Sequence, residues 1–213
     1  YASSTFLDEG PARFHADLLA PLLERGVRMA KVRVGPDWQQ DVRTLAELRG
    51  LLGDEIELMV DGSETYTLPT ALEVAARLAD LGVRWFEEPV PQGNRAAIAA
   101  LSAASPVPIA YGEHLYGRED VLDALTNGGI SVLQPDASVS GGLSEARAIA
   151  GLAPYYGARV VPHICAGPVS LAAGLALAGT VHAIRAVEYP LSLIPAWEGL
   201  STGAALGLDA IEN

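Results

Sequence analysis

One pattern recurs along the chain. An amphipathic stretch with apolar residues at helical spacing is followed by a glycine, a short apolar run rich in β-branched residues, and then a charged or polar residue. It can be read over 24–31, 53–61, 81–87, 129–136 and 157–163, and more loosely over 179–188. Glycine after a helix caps its C-terminus, and a short, nearly continuous apolar run is what a strand buried on both faces looks like. The intervening stretches predict helices over 11–25, 37–52, 69–81, 118–126 and 142–156. Strand alternating with helix at this spacing builds βαβ units on a parallel sheet. About seven or eight such units predict an α/β fold, a TIM-like (β/α)7β barrel or a close variant. A doubly wound open sheet is the competing architecture. Against it, no Gly-x-Gly-x-x-Gly follows the first strand, and polar residues finish nearly every strand instead of gathering at one switch point.

The residues that finish the strands are evenly spaced. Asp61, Glu87, Glu113, Asp136, His163 and Glu188 follow one another at intervals of 26, 26, 23, 27 and 25 residues. If each unit contributes one strand, these side chains converge on the C-terminal face of the barrel, where barrel enzymes keep their chemistry. Asp61, Glu87 and Glu113 would then be three carboxylates from consecutive strands. Crowded in a partly buried mouth they repel one another, and a hard divalent cation with oxygen ligands relieves the repulsion; Mg²⁺ is the ion expected. Three separate surface carboxylates or helix caps are the alternative. Glu88 neighbours Glu87 on the same strand, so it should point the other way and play a supporting part.

Lys31 and Arg33 lie two apart on one strand and share a face. Facing inwards, two cations need anions beside them, which metal-binding carboxylates and a substrate carboxylate would supply; facing outwards, they would snorkel into solvent. Arg33 stays protonated and is no base, whereas Lys31 can be tuned. His163 ends its strand one unit after Asp136, so the carboxylate can hold one imidazole nitrogen and leave the other as acid or base. His15 and His182 read as structural, His114 as a residue lining the pocket, and Cys165 as a packing residue among small neighbours.

Composition narrows the class. Half the residues are hydrophobic and 19% are charged, which excludes disorder and leaves room for one large core. A formal charge of −12 disfavours nucleic acid and anionic membranes as partners. One cysteine cannot form an internal disulfide, so a cytoplasmic location is expected. The start at Tyr1 has neither an initiator methionine nor a signal-peptide pattern and reads as a processed or excised piece. The weakly polar run 164–181 approaches membrane-spanning length, but it contains Pro168, Ser170 and many small residues and reads as a helix covering the sheet.

Lys31-x-Arg33, Val60-Asp61, Trp85-Phe-Glu87-Glu-Pro89, Gly112-Glu113, Pro135-Asp136 followed by Gly141-Gly142, His163 and Val187-Glu188-Tyr-Pro stand in order along nearly the whole chain. Together they resemble the barrel domain of the mandelate racemase group of the enolase superfamily. The resemblance implies a (β/α)7β barrel holding Mg²⁺ on Asp61, Glu87 and Glu113, and a small-molecule carboxylate as substrate. A base removes the proton on the carbon next to that carboxylate, giving an enediolate. By the same resemblance Asp136 and His163 form the dyad, Glu188 is a protonated hydrogen-bond donor to the substrate, and Lys31 helps hold the substrate carboxylate.

Two departures matter. Arg33 stands where the family's second lysine of a Lys-x-Lys pair provides a base. A one-base route through His163 is therefore expected, and it fits dehydration of a sugar acid better than racemisation; epimerisation, cycloisomerisation of a sugar lactone and a non-catalytic barrel are the alternatives. Relatives also carry an α+β capping domain before the barrel, which these residues do not include. Residues 1–190 are expected to form the barrel and 191–213 a C-terminal segment leading back towards that cap. Ser3 or Ser4 would touch substrate, and a homo-oligomer is expected, as in the relatives.

Overall fold

A computed structural model describes residues 1–191 and 193–198. Strands β1 (Ala2–Phe6), β2 (Met29–Arg33), β3 (Glu57–Asp61), β4 (Phe86–Glu87), β5 (Ile109–Tyr111), β6 (Val132–Leu133), β7 (Arg159–Val160) and β8 (Tyr189–Pro190) form one sheet in the order β7-β6-β5-β4-β3-β2-β1-β8. All paired strands run parallel. A parallel bridge between Val160 and Ile184 joins β7 to the segment entering β8, so the sheet closes into the expected barrel. Helices α1 (Ala12–Glu24), α2 (Trp38–Leu52), α3 (Leu68–Asp80), α4 (Arg95–Ala104), α5 (Gly117–Thr126), α6 (Leu143–Leu152) and α7 (Pro168–Thr180) alternate with the strands, and α8 (Ile194–Glu198) follows β8.

The strand sequences divide the core in two. Ala30, Val32, Leu58, Val60, Phe86, Ile109, Leu133 and Val160 belong to a large apolar cluster shared with the helices. The alternate positions Met59, Trp85, Ala110, Val132 and Val161 form a second, smaller cluster, with Tyr1, Met29 and Ala186 packed against it. This second cluster plugs the barrel, and the Tyr1 and Trp85 rings meet edge to face within it at 5.7 Å. Two residues further along most of these strands the inward positions turn polar: Lys31, Asp61, Glu87, Gln134, His163 and Glu188 are buried, as is Asp136, two residues beyond Gln134. The period-2 pleat therefore separates a dry plug from a charged mouth.

Register sets the height of the site. Arg33 pairs with Asp61, and Asp61 with Glu87, which puts these three on adjacent strands at one level. Helix starts are fixed locally: Asp37 caps α2 by accepting from the Gln40 amide, and Asn94 caps α4 by accepting from that of Ala97. Each such cap contributes about 1 kcal/mol.

The helix expected over 142–156 divides into α6 and a 3-10 turn, Ala153–Tyr156. Pro154 has no amide to continue the α-helical ladder, which accounts for the change. The 164–181 run contains α7, and no helix among the described residues is long and apolar enough to cross a membrane. Of the segment expected over 191–213, α8 is described, whereas 192 and 199–213 lie outside the described residues.

Candidate active site

Strand β2 delivers both of its cations to the mouth. Lys31 is fully buried; its Nζ contacts Glu87 Oε1 and lies 3.0 Å from Glu188 Oε1 and 3.5 Å from Asp61 Oδ2. Burial alone would lower the lysine pKa, but the surrounding carboxylates outweigh it and hold the ammonium well above its usual range. Arg33 reaches higher, with Nη1 3.3 Å from Asp61 Oδ2 and nearly a third of its side chain exposed, 31%.

The carboxylates divide unevenly around Lys31. Burial lifts Glu87 to about 7 against the opposing pull of Lys31, with Asp61 and Glu188 adding to the rise. Gln134 Nε2 donates to Glu87 Oε2 at 2.7 Å and Trp85 Nε1 at 3.3 Å. Burial would also raise Glu188, yet Lys31 and His163 hold it at about 2, and the Ser3 hydroxyl and the Ile164 amide donate to it as well. Its cationic neighbours favour the ionised form of Glu188, whereas the resemblance implies a protonated one. Lys31, expected to help hold a substrate carboxylate, is buried among three protein carboxylates.

Asp136 and His163 meet as expected, Oδ2 to Nδ1 at 2.9 Å. Burial would raise the Asp136 pKa, but hydrogen bonds from His163 and from the Ser138 hydroxyl and amide bring it below the usual range. An ionised carboxylate only accepts, so Nδ1 carries the proton and Nε2 faces the mouth. There Nε2 lies 3.3 Å from Glu113 Oε2 and 3.9 Å from Glu188 Oε2. Burial lowers the His163 pKa less than Asp136, Glu188 and Glu113 raise it, and the net shift is upward.

The proposed triad of Asp61, Glu87 and Glu113 is brought to one mouth but is divided in its contacts. Asp61 and Glu87 lean on Lys31, while Glu113 faces His163 and His114. Among the described residues its oxygens are not one of the groups whose ligand atoms all lie within 4.8 Å of one another. The donor chemistry nevertheless fits a hard dication. The ligands are all oxygen, and Asp61, Glu87, Glu113, Asp136 and Glu188 outnumber the cations Lys31 and Arg33.

A cavity of about 370 Å³ opens beside this constellation, lined among others by Ser3, Ser4, Arg33, His163, Cys165 and Glu188, but not by Asp61, Glu87, Glu113 or Asp136. A larger one, about 610 Å³, lies at the opposite end of the strands between Arg49, Glu57, Arg84 and Arg159, and contains none of the strand-end carboxylates. Of the two, the smaller touches the strand-end residues, through Arg33, His163 and Glu188. Both serines line it, as the sequence suggests. Cys165, expected to pack, is exposed at its edge because it lies beyond the strand end in the loop leading to α7. His114 is not among the residues lining this cavity; it is 57% exposed and stands between Glu113 and Glu88. His15 is buried in α1, with Nε2 3.4 Å from the Leu7 carbonyl oxygen, and His182 is exposed. Gln134 was not singled out from sequence, although its position two residues before Asp136 on the same inward face marks it.

Glu88 turns away from Glu87, as the pleat dictates, and its backbone takes φ 38°. Burial first, then the charges of Glu113 and Glu87, lift its carboxyl to about 9.

Residues 15–206 match the family described as Enolase C-terminal domain-like. D-galactarolactone cycloisomerase of Agrobacterium fabrum is 36% identical over 177 residues, covering 82% of this chain and 47% of that protein. Arabinonate dehydratase of Saccharolobus solfataricus is 30% identical over 169 residues, covering 79% and 44%. Among solved structures, a racemase from Streptomyces coelicolor with bound magnesium superposes with a TM-score of 0.81 at 28% identity, over 91% of this chain and 53% of that one. The chain spans about half the length of the curated relatives it matches. Barrel, strand-end constellation and these similarities agree, and the chain belongs to the enolase C-terminal domain-like family, in the mandelate racemase group of the enolase superfamily.

Proposed function

We propose that this barrel serves an Mg²⁺-dependent lyase that removes the proton α to a carboxylate and dehydrates a sugar acid. The observation that carries this reading is the Asp136–His163 dyad, whose Nε2 faces the mouth beside Glu113, next to a cavity lined by Arg33 where the family pattern has a lysine. One base on one face suits β-elimination, whereas racemisation requires a partner on the other face.

Each residue then has a part. Arg33, the cation that lines the cavity, pairs with the substrate carboxylate. His163 Nε2 takes the α-proton, and Asp136 stabilises the imidazolium that results. The same imidazolium returns the proton to the β-hydroxyl as the C–O bond breaks, so that water leaves and the enol relaxes to a 2-keto-3-deoxy acid. Lys31 holds Glu87, Asp61 and Glu188 in place from beneath. A divalent cation on Asp61, Glu87 and Glu113 would supply Lewis-acid stabilisation of the charge gathering on the substrate carboxylate, a contribution of several kcal/mol.

The arabinonate dehydratase relative supports the substrate class. The 36% identity to a galactarolactone cycloisomerase favours a second reading, in which the same proton transfer opens or rearranges a sugar lactone. The single cysteine supports a cytoplasmic location. The test is the full-length protein with Mg²⁺ against C4 to C6 mono- and diacid sugars and their lactones. 2-keto-3-deoxy product supports the first reading, lactone conversion alone the second, and silence on every compound contradicts both.

A further inference from the structure

We propose that Glu64, Glu88 and His114 form a second cation site, separate from Asp61, Glu87 and Glu113, that takes a borderline divalent transition ion such as Zn²⁺ in preference to Mg²⁺. The three residues come from three consecutive βα connections, after β3, β4 and β5. Each offers one ligand atom, and these atoms all lie within 4.8 Å of one another.

The buried member points to a ligand. Glu88 is only 3% exposed, yet its Oε1 accepts no hydrogen bond and stands 3.5 Å from His114 Nδ1. A buried carboxyl oxygen left open in this way lacks the partner that such groups normally have, and a bound cation would supply one as the carboxyl gives up its proton. Glu64 is fixed for the same purpose, its Oε1 accepting from the Gln92 amide at 2.6 Å, and its own amide donating to the Glu88 carbonyl at 2.6 Å. Nothing in the proposed dehydration uses any of the three, and the proposal stands or falls independently of that reading.

The donor set decides the ion. One imidazole nitrogen with two carboxylates suits Zn²⁺ or its neighbours, which accept mixed nitrogen and oxygen ligands at about 2.0–2.2 Å. Mg²⁺ prefers an octahedron of oxygens and keeps several waters. His114 is 57% exposed, so an ion reaches the site from solvent and retains open positions for water. Bound there, it would tie three neighbouring loops together and fix the backbone that carries Glu113, the residue before His114.

The experiment uses the full-length protein stripped with a chelator, then dialysed against Zn²⁺ in the presence of saturating Mg²⁺, with bound zinc counted per chain. The proposal expects one Zn²⁺ retained. Its affinity should fall at least tenfold in His114→Ala and in Glu64→Gln and stay unchanged in Asp61→Asn. Co²⁺ in place of zinc should give visible absorption bands that His114→Ala removes. His114 is exposed and Glu64→Gln preserves shape, so both variants should fold, which their melting temperatures would verify. No zinc retained over Mg²⁺ would overturn the proposal. So would zinc that Asp61→Asn releases and His114→Ala does not, because the ion then sits among the strand-end carboxylates. Zinc indifferent to all three variants also overturns it, and directs attention to Asp136, His163 and Cys165, the other group of suitable ligands among the described residues.

Discussion

Asp136 Oδ2 lies 2.9 Å from His163 Nδ1, so one end of the imidazole is held by the dyad and the other faces the mouth, 3.3 Å from Glu113. His163→Asn removes the base without removing the carboxylates around it. Exchange of the substrate α-proton should vanish while Mg²⁺ binding persists. Asp136→Asn keeps the ring but loses its orienting anion, and kcat should fall by about 10²–10⁴. Turnover that is indifferent to either change would remove the dyad from the mechanism.

The same pair makes a pH prediction. His163 has a folded pKa raised above its ordinary 6.5, the net result of burial opposed by Asp136, Glu188 and Glu113. A raised folded value means that the folded state binds the proton more tightly than the unfolded chain. The stabilisation is complete below about pH 6.5 and is lost as pH rises through the folded value. Urea unfolding of chelator-treated wild type and His163→Gln should therefore show a stability difference in favour of wild type that shrinks with rising pH. A difference growing with pH would reverse the sign and contradict the shift.

Lys31 is the keystone of the charges beneath the cavity. Lys31→Met leaves Glu87, Glu188 and Asp61 buried without their shared cation. Removing one partner of a buried ion pair costs about 3–5 kcal/mol, because the remaining charge is uncompensated. Equilibrium unfolding should show a loss of that size at neutral pH and a smaller one under acid, where the carboxylates protonate. A loss under about 1 kcal/mol at neutral pH would mean that the carboxylates are already neutralised another way.

Much of this arrangement was legible in the sequence, and the reason is geometric. A parallel barrel puts the last inward residue of every strand on one face, so the regular interval from Asp61 to Glu188 translated directly into a ring of side chains. Lys31 and Arg33 shared a face because the pleat has a period of two. What spacing could not convey was depth. Lys31 is fully buried and Arg33 partly exposed, although they are two residues apart on one strand, and this difference decides which of them lines the cavity. The charge around Glu188 was equally hidden, since it depends on Lys31, which is far away in sequence but only one strand removed across β1. The loop residues Glu64 and His114 escaped the periodic pattern altogether, because their meeting depends on loop paths that no repeat encodes.

One glycine connects fold to site. Gly112 precedes Glu113 at φ +142°, and a Cβ there would come within 2.8 Å of the Gln134 amide nitrogen. Gly112→Ala must therefore strain the backbone or push β6 away from β5, at a cost of about 1–3 kcal/mol. Both Glu113 and Gln134, the partner of Glu87, should move with it. The expected readout is a lowered melting temperature together with weaker Mg²⁺ binding; an unchanged affinity in a destabilised variant would uncouple Gly112 from the site.

The central claim is that His163 takes a proton from the carbon next to a carboxylate. Its most direct test is proton NMR in heavy water, with Mg²⁺, the full-length protein and its His163→Asn variant, across the sugar acids named above. Wild type should yield a 2-keto-3-deoxy acid, or at least replace the α-proton by deuterium, and the variant should do neither. Equal exchange by wild type and variant would contradict the account, as would a wild type that neither exchanges nor converts any of the acids.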